Sequence, residues 1–244
     1  MFRVFDLILV QSKGFVDSIL SYRGVRKEKV EYLPNSYEVT APVEADELPD
    51  WVEEFRECFS VVFAGNIGKA QNLPLFLDGA ERLKEFENIR LFFVGEGSER
   101  QKLMSEAASR GIGNVAFPGR VAREKIDAIL SEADVLILSL SDMEGVAETI
   151  PSKLQGYLAA GKPVVLAGGG ESEKIIAAAG CGFTCPATDA EKFADSIKRL
   201  FAMSVEERNR IGEQGRIYFQ SEFSGEKQNE SLRSFFLEVL SSRS

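Results

Sequence analysis

The chain has 244 residues, 44% of them hydrophobic, which is enough for one large domain or for one domain and part of another. Its formal net charge of −9 argues against nucleic acid as the main partner, because phosphate contacts require clustered lysine and arginine. It contains no histidine, which excludes Ser-His-Asp and Cys-His catalysis and the usual histidine-bearing zinc sites. We expect no metal and no other cofactor, an expectation for which the missing histidines exclude only the histidine-bearing sites.

Two further features of the sequence bear on the compartment in which the protein works. The chain has three cysteines, an odd and small number that fits a reducing compartment. No apolar run approaches the roughly 20 residues that cross a bilayer. We expect a cytoplasmic protein.

Short apolar segments alternate with amphipathic ones along the whole chain. Apolar runs of this kind are typical of parallel strands that are covered on both faces. The alternation therefore predicts an α/β fold, a Rossmann-like parallel sheet with helices on both faces. The predicted strands are Leu7–Val10, Val30–Leu33, Val61–Ala64, Arg90–Val94, Val115–Phe117, Val135–Leu138, Pro163–Ala167 and Gly182–Thr184.

Composition divides the chain into four segments. Residues 1–41 contain one strand–helix–strand unit, too little to bury a core of its own. Residues 42–58 are acidic and predict a linker, with a short helix from Pro49. Residues 59–223 hold about six strands, enough for a Rossmann-like domain. Residues 224–244 predict an amphipathic helix whose apolar side carries Leu232, Phe235, Phe236, Val239 and Leu240.

Helix starts are predicted at three places. Two of them are capping boxes, in which a hydroxyl residue is followed three positions later by Glu, at Thr188 and at Ser204. At the third, Asn72 is expected to cap a helix whose first turn contains Pro74.

A glycine-rich loop precedes that third helix. Gly65, Asn66, Gly68 and Lys69 follow a predicted strand, so the backbone could approach an anion while the helix supplies N–H donors. Lys69 would add a cation suited to a diphosphate. A plain strand-to-helix turn also needs glycines, and the pattern alone leaves both interpretations open.

A second helix start could face the same anion. Pro151 suits a first turn, and Ser152 and Lys153 lie where free backbone N–H groups point outward. Together with the preceding Ile150, they are predicted to bind the diphosphate. The competing interpretation is that Lys153 is a solvated surface lysine.

The stretch from Glu148 to Val165 resembles the donor-binding motif of family 4 retaining glycosyltransferases, which have the GT-B fold and use nucleotide sugars. In that motif a Glu, seven other residues and a second Glu precede an Ala-Cys/Ala-Gly-x-Pro-Val run. Glu148 stands at the first position, whereas Gly156 stands at the second. Counting back from Pro163 favours Glu148 over Glu144, which also begins a similar Glu-Gly-Val run.

Further motifs resemble the same family in the same order over nearly the whole chain. They correspond to the last strand of the N-terminal domain, the Pro-Asn before the linker, the phosphate loop, a Gly-x-Gly turn and two later strands. These motifs are Phe5–Ser12, Lys29–Asn35, Phe63–Asn72, Phe93–Gly97, Asn114–Val121 and Ala133–Ser139. The resemblance implies a C-terminal donor-binding domain with a remnant of the N-terminal domain, and a terminal helix that crosses back.

The resemblance also implies roles for the diphosphate and donor sugar. Glu148 would hold hydroxyls of the donor sugar and, with Lys69, form the catalytic pair. Lys69 and Lys153 would stabilise the departing nucleoside diphosphate without a metal. The family usually has Arg and Lys where this chain has Asn66 and Gln71, so Lys69 would act from a shifted position.

The nucleoside would be held by other residues. Backbone groups around Gly119, Arg120 and Val121 would contact the base, and Arg120 could stack on it or remain a surface arginine. In the family the second Glu grips the ribose, which Gly156 cannot do. Either a Glu has been lost, so that Gly156→Glu would be tolerated, or the glycine makes room for close packing. The ordinary helical sequence around Gly156 favours the first interpretation.

Taken together, the resemblance implies a retaining, hexosyltransferase-like enzyme of polysaccharide biosynthesis. It would transfer sugar from a nucleotide sugar, with a UDP-sugar expected, to a saccharide or lipid-linked acceptor. This chain would supply the donor-binding half and need the missing N-terminal domain or a partner subunit. The alternatives are a non-catalytic nucleotide-sugar-binding or scaffold module and one subunit of a split transferase. A peripheral position at the inner membrane face would suit a lipid-linked acceptor.

Overall fold

The computed structural model describes residues 5–140 and 147–241. The strands in these ranges are β1 (Ile8–Val10), β2 (Val30–Tyr32), β3 (Phe59–Ala64), β4 (Ile89–Val94), β5 (Val115–Gly119), β6 (Val135–Ser139), β7 (Val164–Ala167) and β8 (Gly182–Cys185). The α-helices are α1 (Gly14–Leu20), α2 (Glu54–Glu57), α3 (Pro74–Arg82), α4 (Arg100–Ser109), α5 (Arg123–Glu132), α6 (Ser152–Ala160), α7 (Glu171–Ala179), α8 (Ala190–Phe201), α9 (Val205–Glu222) and α10 (Gly225–Ser241). Short 3-10 turns lie at Lys27–Lys29, Ala45–Glu47, Asp50–Glu53 and Lys69–Gln71.

Six strands form one parallel sheet in the order β5-β4-β3-β6-β7-β8, and β1 pairs with β2 in a separate parallel sheet. β3 and β6 are the central pair: the strands that follow β3 in the chain lie on one side of it, and those that follow β6 lie on the other. Ligands of open α/β sheets bind in the crevice beyond the carboxyl ends of such a pair. The predicted Rossmann-like parallel sheet is confirmed, and all eight predicted strands are present.

The sheet is covered on both faces, which explains its continuous apolar strands. Val61 and Phe63 of β3 belong to one core layer, with α3 and α8, whereas Val62 and Ala64 belong to the other. β5 is longer than predicted and runs through Pro118 to Gly119. It lies at an edge of the sheet, where a proline interrupts no ladder on its free side.

Two of the three predicted caps are wrong. The capping box at Ser204 is confirmed, since Ser204 and Glu207 exchange hydrogen bonds of 2.8 and 3.2 Å. The box at Thr188 is wrong because α8 begins later and the Asp189 carboxylate accepts from the Lys192 amide at 2.9 Å.

Asn72 does not cap α3 either. Its backbone is left-handed, with φ of +44°, and its side-chain amide donates instead to the Ala187 carbonyl oxygen at 2.7 Å. The helix therefore starts from Leu73 without a side-chain cap, although Pro74 does lie in its first turn as predicted.

The division into four segments stays a prediction, but the local structure at its ends is defined. The helix predicted from Pro49 is present as a 3-10 turn that continues into α2. Phe55 of α2 is buried and packs on Phe92, with ring centroids 4.6 Å apart. α10 buries no residue against the described chain. No helix in the two described ranges combines the length and apolarity needed to span a bilayer.

Candidate functional site

The loops that follow β3 and β4 touch each other at the carboxyl edge of the sheet. Gly65 and Gly95 have φ of +141° and +140°, a region that favours glycine. A Cβ atom added to Gly95 would overlap the Gly65 carbonyl oxygen. The Ile67 amide also donates to the Glu96 carbonyl oxygen at 2.8 Å. Backbone packing and positive φ therefore account for Gly95, and at Gly65 the positive φ is joined by a second reason for glycine.

Lys153 supplies that reason. A Cβ atom on Gly65 would lie 2.6 Å from Lys153 Cε and 2.9 Å from its Nζ. The ammonium also lies 3.8 Å from the centroid of the Phe63 ring. Its Nζ is buried and has no hydrogen-bond partner in the part of the chain that the structure describes. The interpretation of Lys153 as a solvated surface lysine is therefore wrong.

Burial changes the acid–base behaviour of this lysine. Removal from water disfavours the charged form and lowers the pKa of Lys153 to about 7. With a pKa of about 7, the side-chain amine of Lys153 carries its positive charge only part of the time at neutral pH. An anion beside it would favour the protonated form and raise the pKa again.

The start of α6 holds Lys153 in place. Pro151 is extended, with ψ of 136°, and the helix begins at Ser152. Four residues after Lys153, the Tyr157 hydroxyl accepts from the Ala64 amide at 2.8 Å and donates to its carbonyl oxygen at 3.3 Å. Residues four apart share one helical face, so this bond fixes Lys153 above the glycine loop.

Two cavities meet at this point and form one groove. The larger is about 450 Å³ and the smaller about 330 Å³, and they share Gly65, Asn66, Arg123 and Ile126. The larger is also lined by Tyr37, Ala64, Gln71, Leu130, Pro151, Ser152, Lys153, Gly156 and Tyr157. The smaller is also lined by Val94, Gly95, Glu96, Arg120 and Val121. Three lining side chains are cationic and one is anionic, so the groove suits an anion.

The structure brings together some of the predicted site residues and leaves others outside. Those in the lining of the larger cavity are Gly65, Asn66, Ser152, Lys153 and Gly156. Those in the smaller are Gly65, Asn66, Arg120 and Val121. The predicted residues that line neither cavity are Gly68, Lys69, Gly119, Glu148 and Ile150.

Lys69 is exposed on the 3-10 turn after the glycine loop. The side chains that converge beside Gly68 are neutral: a Cβ atom there would lie 2.7 Å from Asn66 Nδ2 and 3.3 Å from Gln71 Oε1. Gln71 Oε1 is buried without a partner among the described residues. The catalytic role of Lys69 stays a prediction, and of the two predicted lysines only Lys153 lines the groove.

Glu148 is exposed in a turn before α6. A Cβ atom on Gly14 would lie 3.0 Å from Glu148 Cα, so this turn packs against the start of α1. Its predicted contact with the donor sugar stays a prediction. Glu144, the alternative, lies outside the described residues.

Gly156 faces an aromatic ring. A Cβ atom there would lie 2.9 Å from both Cζ and the hydroxyl oxygen of Tyr37. Real side chains do not approach so closely, so any larger residue at this position must displace Tyr37. The structure thus favours the glycine that makes room over the lost Glu.

Tyr37 belongs to a polar cluster that the sequence did not reveal. Its hydroxyl donates to Asp127 Oδ1 at 2.6 Å, and the Arg123 guanidinium lies 5.0 Å from its ring centroid. The Thr40 amide donates to Asp127 Oδ2 at 2.7 Å. Nothing in the sequence connects Tyr37 with α5, whereas the spacing of Lys153 and Tyr157 could have indicated their shared face.

The contacts within this cluster determine the protonation states of Tyr37 and Asp127. Burial, together with the hydrogen bond to Asp127, raises the pKa of Tyr37, so the phenol stays protonated. Burial also raises the pKa of Asp127, but hydrogen bonds from Thr40 and Tyr37 and the charge of Arg123 outweigh it and lower the pKa. Asp127 is therefore a carboxylate and Tyr37 its donor.

Comparison with known proteins gives consistent matches. The family model "Glycosyl transferases group 1" matches residues 51–218. WcaI of Escherichia coli K12, assigned by name to glycosyl transfer in colanic acid biosynthesis, is 28% identical over 150 residues, 59% of this chain and 36% of its own. WbjE of Pseudomonas aeruginosa, named as a glycosyltransferase, is 26% identical over 161 residues, 65% of this chain and 38% of its own. The chain spans little more than a third of these relatives.

Solved structures match the fold over almost the whole chain. Anabaena Alr3699/HepE in complex with UDP superposes with a TM-score of 0.78 at 15% identity, covering 96% of this chain and 64% of the other. A glycosyltransferase from Rickettsia africae gives a TM-score of 0.80 at 15% identity, with the same coverage. At this identity the likeness concerns the fold, and it confirms the predicted GT-B architecture.

Proposed function

The chain belongs to the group 1 glycosyl transferases, and from that premise we propose that it is the donor-binding half of a sugar transferase. The transferase would move a sugar from a nucleotide sugar to a saccharide or lipid-linked acceptor, with retention of configuration and without a metal. One observation carries the proposal: the buried ammonium of Lys153 has no partner among the described residues and faces a groove.

A diphosphate in the larger cavity would complete this site. The first backbone N–H groups of α6 have no acceptor within the helix, and the helix end carries a partial positive charge. A diphosphate there would accept hydrogen bonds from these N–H groups and from Lys153. Its negative charge would raise the pKa of Lys153 and so keep the lysine protonated. The same groups would stabilise the charge on the nucleoside diphosphate as it leaves, which is how fixed dipoles and cations lower such barriers.

The nucleoside would extend into the smaller cavity. Val121 and Val94 offer apolar contact there, and the exposed Arg120 guanidinium could stack on a base. HepE was solved with UDP, which makes uridine the first base to test.

The acceptor side would come from elsewhere. The curated relatives are much longer than this chain, so we propose that transfer needs the N-terminal domain, within the same protein or on a partner subunit. The location that we propose is the cytoplasm, with a peripheral position at the inner membrane face if the acceptor is lipid-linked.

Calorimetric titration of the 244-residue chain with UDP and GDP tests the proposal. Lys153→Met keeps the length of the side chain but removes its charge, and Lys69→Met is the matched control in the neighbouring loop. We expect Lys153→Met to weaken nucleotide binding about tenfold or more, as for a charged hydrogen bond, and Lys69→Met to leave it within about twofold. Wild-type affinity in Lys153→Met, or no binding by the wild type, would contradict the proposal.

A non-catalytic nucleotide-sugar-binding module is the second candidate. It is favoured by the neutral pair Asn66 and Gln71 in the loop after β3, where the family usually carries cations. Transfer assays on the chain joined to the N-terminal domain of a relative distinguish the two. Binding of UDP-sugar without transfer would favour the module.

A further inference from the structure

Tyr37 enters the groove from a segment outside the part matched by the family model, which begins at residue 51. Its amide donates to the Phe223 carbonyl oxygen at 3.1 Å, and its ring meets Phe219 edge-on, with centroids 6.4 Å apart. The ring occupies the space beside Gly156 and forms one wall of the larger cavity. The groove is therefore a composite of two parts of the chain.

The hydroxyl of Tyr37 has a defined direction. It donates its only proton to Asp127 Oδ1 at 2.6 Å, so its oxygen can act towards a ligand only as an acceptor. Asp127 cannot turn away, because Oδ2 accepts from the Thr40 amide at 2.7 Å and from its hydroxyl at 2.9 Å. A hydroxyl that donates to a carboxylate becomes a better acceptor, because chains of hydrogen bonds polarise one another.

The position of this acceptor matches one part of a nucleotide. A diphosphate beside Lys153 and a base beside Arg120 would leave the ribose between them, at the residues that both cavities share. Arg123 is one of these shared residues, and its guanidinium lies over the Tyr37 ring. Tyr37 itself lines only the larger cavity, and its contact with Arg123 puts it at the end of that cavity next to the shared residues. At that end the hydroxyl groups of a ribose would approach the protein.

We propose that Tyr37, oriented by Asp127, faces the ribose of the donor and accepts a hydrogen bond from a ribose hydroxyl. This inference rests on the proposed function. It makes Tyr37 a specificity-determining residue, one that favours ribonucleotides over deoxyribonucleotides. It also makes the segment before the linker part of the donor site.

The test combines one variant with matched nucleotides. Tyr37→Phe retains the ring and removes the hydroxyl, and Tyr218→Phe is a control at a half-buried tyrosine that lines neither cavity. Affinities are measured by calorimetry for UDP or GDP, whichever binds the wild type more tightly, and for its 2′-deoxy and 3′-deoxy forms.

We expect Tyr37→Phe to lose about two- to tenfold in affinity for the ribonucleotide, the range of one neutral hydrogen bond. It should lose nothing for the deoxy form that lacks the partner hydroxyl. Tyr218→Phe should bind all three nucleotides as the wild type does.

An equal loss for all three nucleotides would show that the hydroxyl only supports the wall, and would overturn the inference, as would no loss for any of them. In both cases binding that depends on Lys153 would persist, so the proposed function would stand. If the wild type bound neither UDP nor GDP, both the proposed function and this inference would fail.

Discussion

The loop after β3 and the start of α6 both carry the sequence pattern of an anion site, yet the structure equips them differently. The loop presents an exposed Lys69 and two neutral amides, whereas α6 presents Lys153 with its ammonium buried at the groove. In the loop after β3, Gly65 leaves room for Lys153, and Gly68 leaves room for the amides of Asn66 and Gln71. The glycine pattern and the positive charge, which the sequence places together in one motif, are thus divided between two elements of the structure.

The largest expected effect concerns the buried state of Lys153 and its dependence on pH. Its pKa in the folded protein is about 7, below the value of 10.5 expected when unfolded, so the unfolded chain binds more protons between these values. Stability therefore rises with pH through this window, by at most about 1.4 kcal/mol per pH unit. From pH 7 to pH 9.5 the free energy of unfolding of the wild type should rise by roughly 3 kcal/mol relative to that of Lys153→Met.

Urea unfolding at several pH values measures the free energy of unfolding of both proteins. Because they share all other titrating groups, the contribution of those groups cancels in the difference. Lys69→Met should follow the wild type at every pH, because Lys69 is exposed. A Lys153→Met curve parallel to that of the wild type would mean that Lys153 is hydrated, and the contrast between the two lysines would disappear.

A smaller effect is expected from Gly95→Ala. The added Cβ would overlap the Gly65 carbonyl oxygen, and φ of +140° is strained for alanine. We expect a loss of about 2–3 kcal/mol in the free energy of unfolding. Gly113→Ala is the matched control, since a Cβ there meets nothing within 4 Å. Equal stability of the two variants in urea would show that the loops are not packed as described.

The smallest expected effect is that of Gly156→Glu in α6. Helix propensity alone would favour Glu over Gly by about 0.5–1 kcal/mol, but displacement of Tyr37 should cost more, leaving a net loss of about 1–2 kcal/mol. In a Tyr37→Ala background the same substitution should stabilise the protein. Thermal unfolding of the four proteins decides the matter, and a higher melting temperature for Gly156→Glu alone would restore the lost-Glu interpretation.

The strands were predictable because burial on both faces leaves continuous apolar runs, as in Val61–Ala64. Local signals were less secure where a distant group competed. Asn72 does not cap α3, because its backbone is left-handed and its side chain is turned towards the Ala187 carbonyl oxygen, which accepts from Nδ2. A carboxylate one residue on, Asp189, likewise replaced Thr188.

At the site, the sequence identified the two loops but not which lysine is buried. The burial of Lys153 depends on how α6 packs against β3, through Tyr157 and Ala64. Lys69 lies on the 3-10 turn after the loop and is exposed. The contact of Tyr37 with Gly156 joins parts of the chain that share no periodicity, so no local pattern could reveal it. Contacts between distant parts of the chain therefore determine both the burial of Lys153 and the position of Tyr37.

The bonds on either side of Tyr37 fix the segment that carries it. The Asn35 carbonyl oxygen accepts from Gln155 Nε2 of α6 at 2.6 Å, and Thr40 is bonded to Asp127 of α5. The Leu33 amide, by contrast, donates to Val10 of the two-stranded sheet at 2.9 Å. Any rotation of that small sheet relative to the large one would then be absorbed between Leu33 and Asn35, ahead of the acidic stretch that composition suggests as the joint. It would also break the bond of 2.9 Å from Asn35 Nδ2 to Gln11 Oε1, next to β1. The wall of the groove would stay with the large sheet while the small one turned.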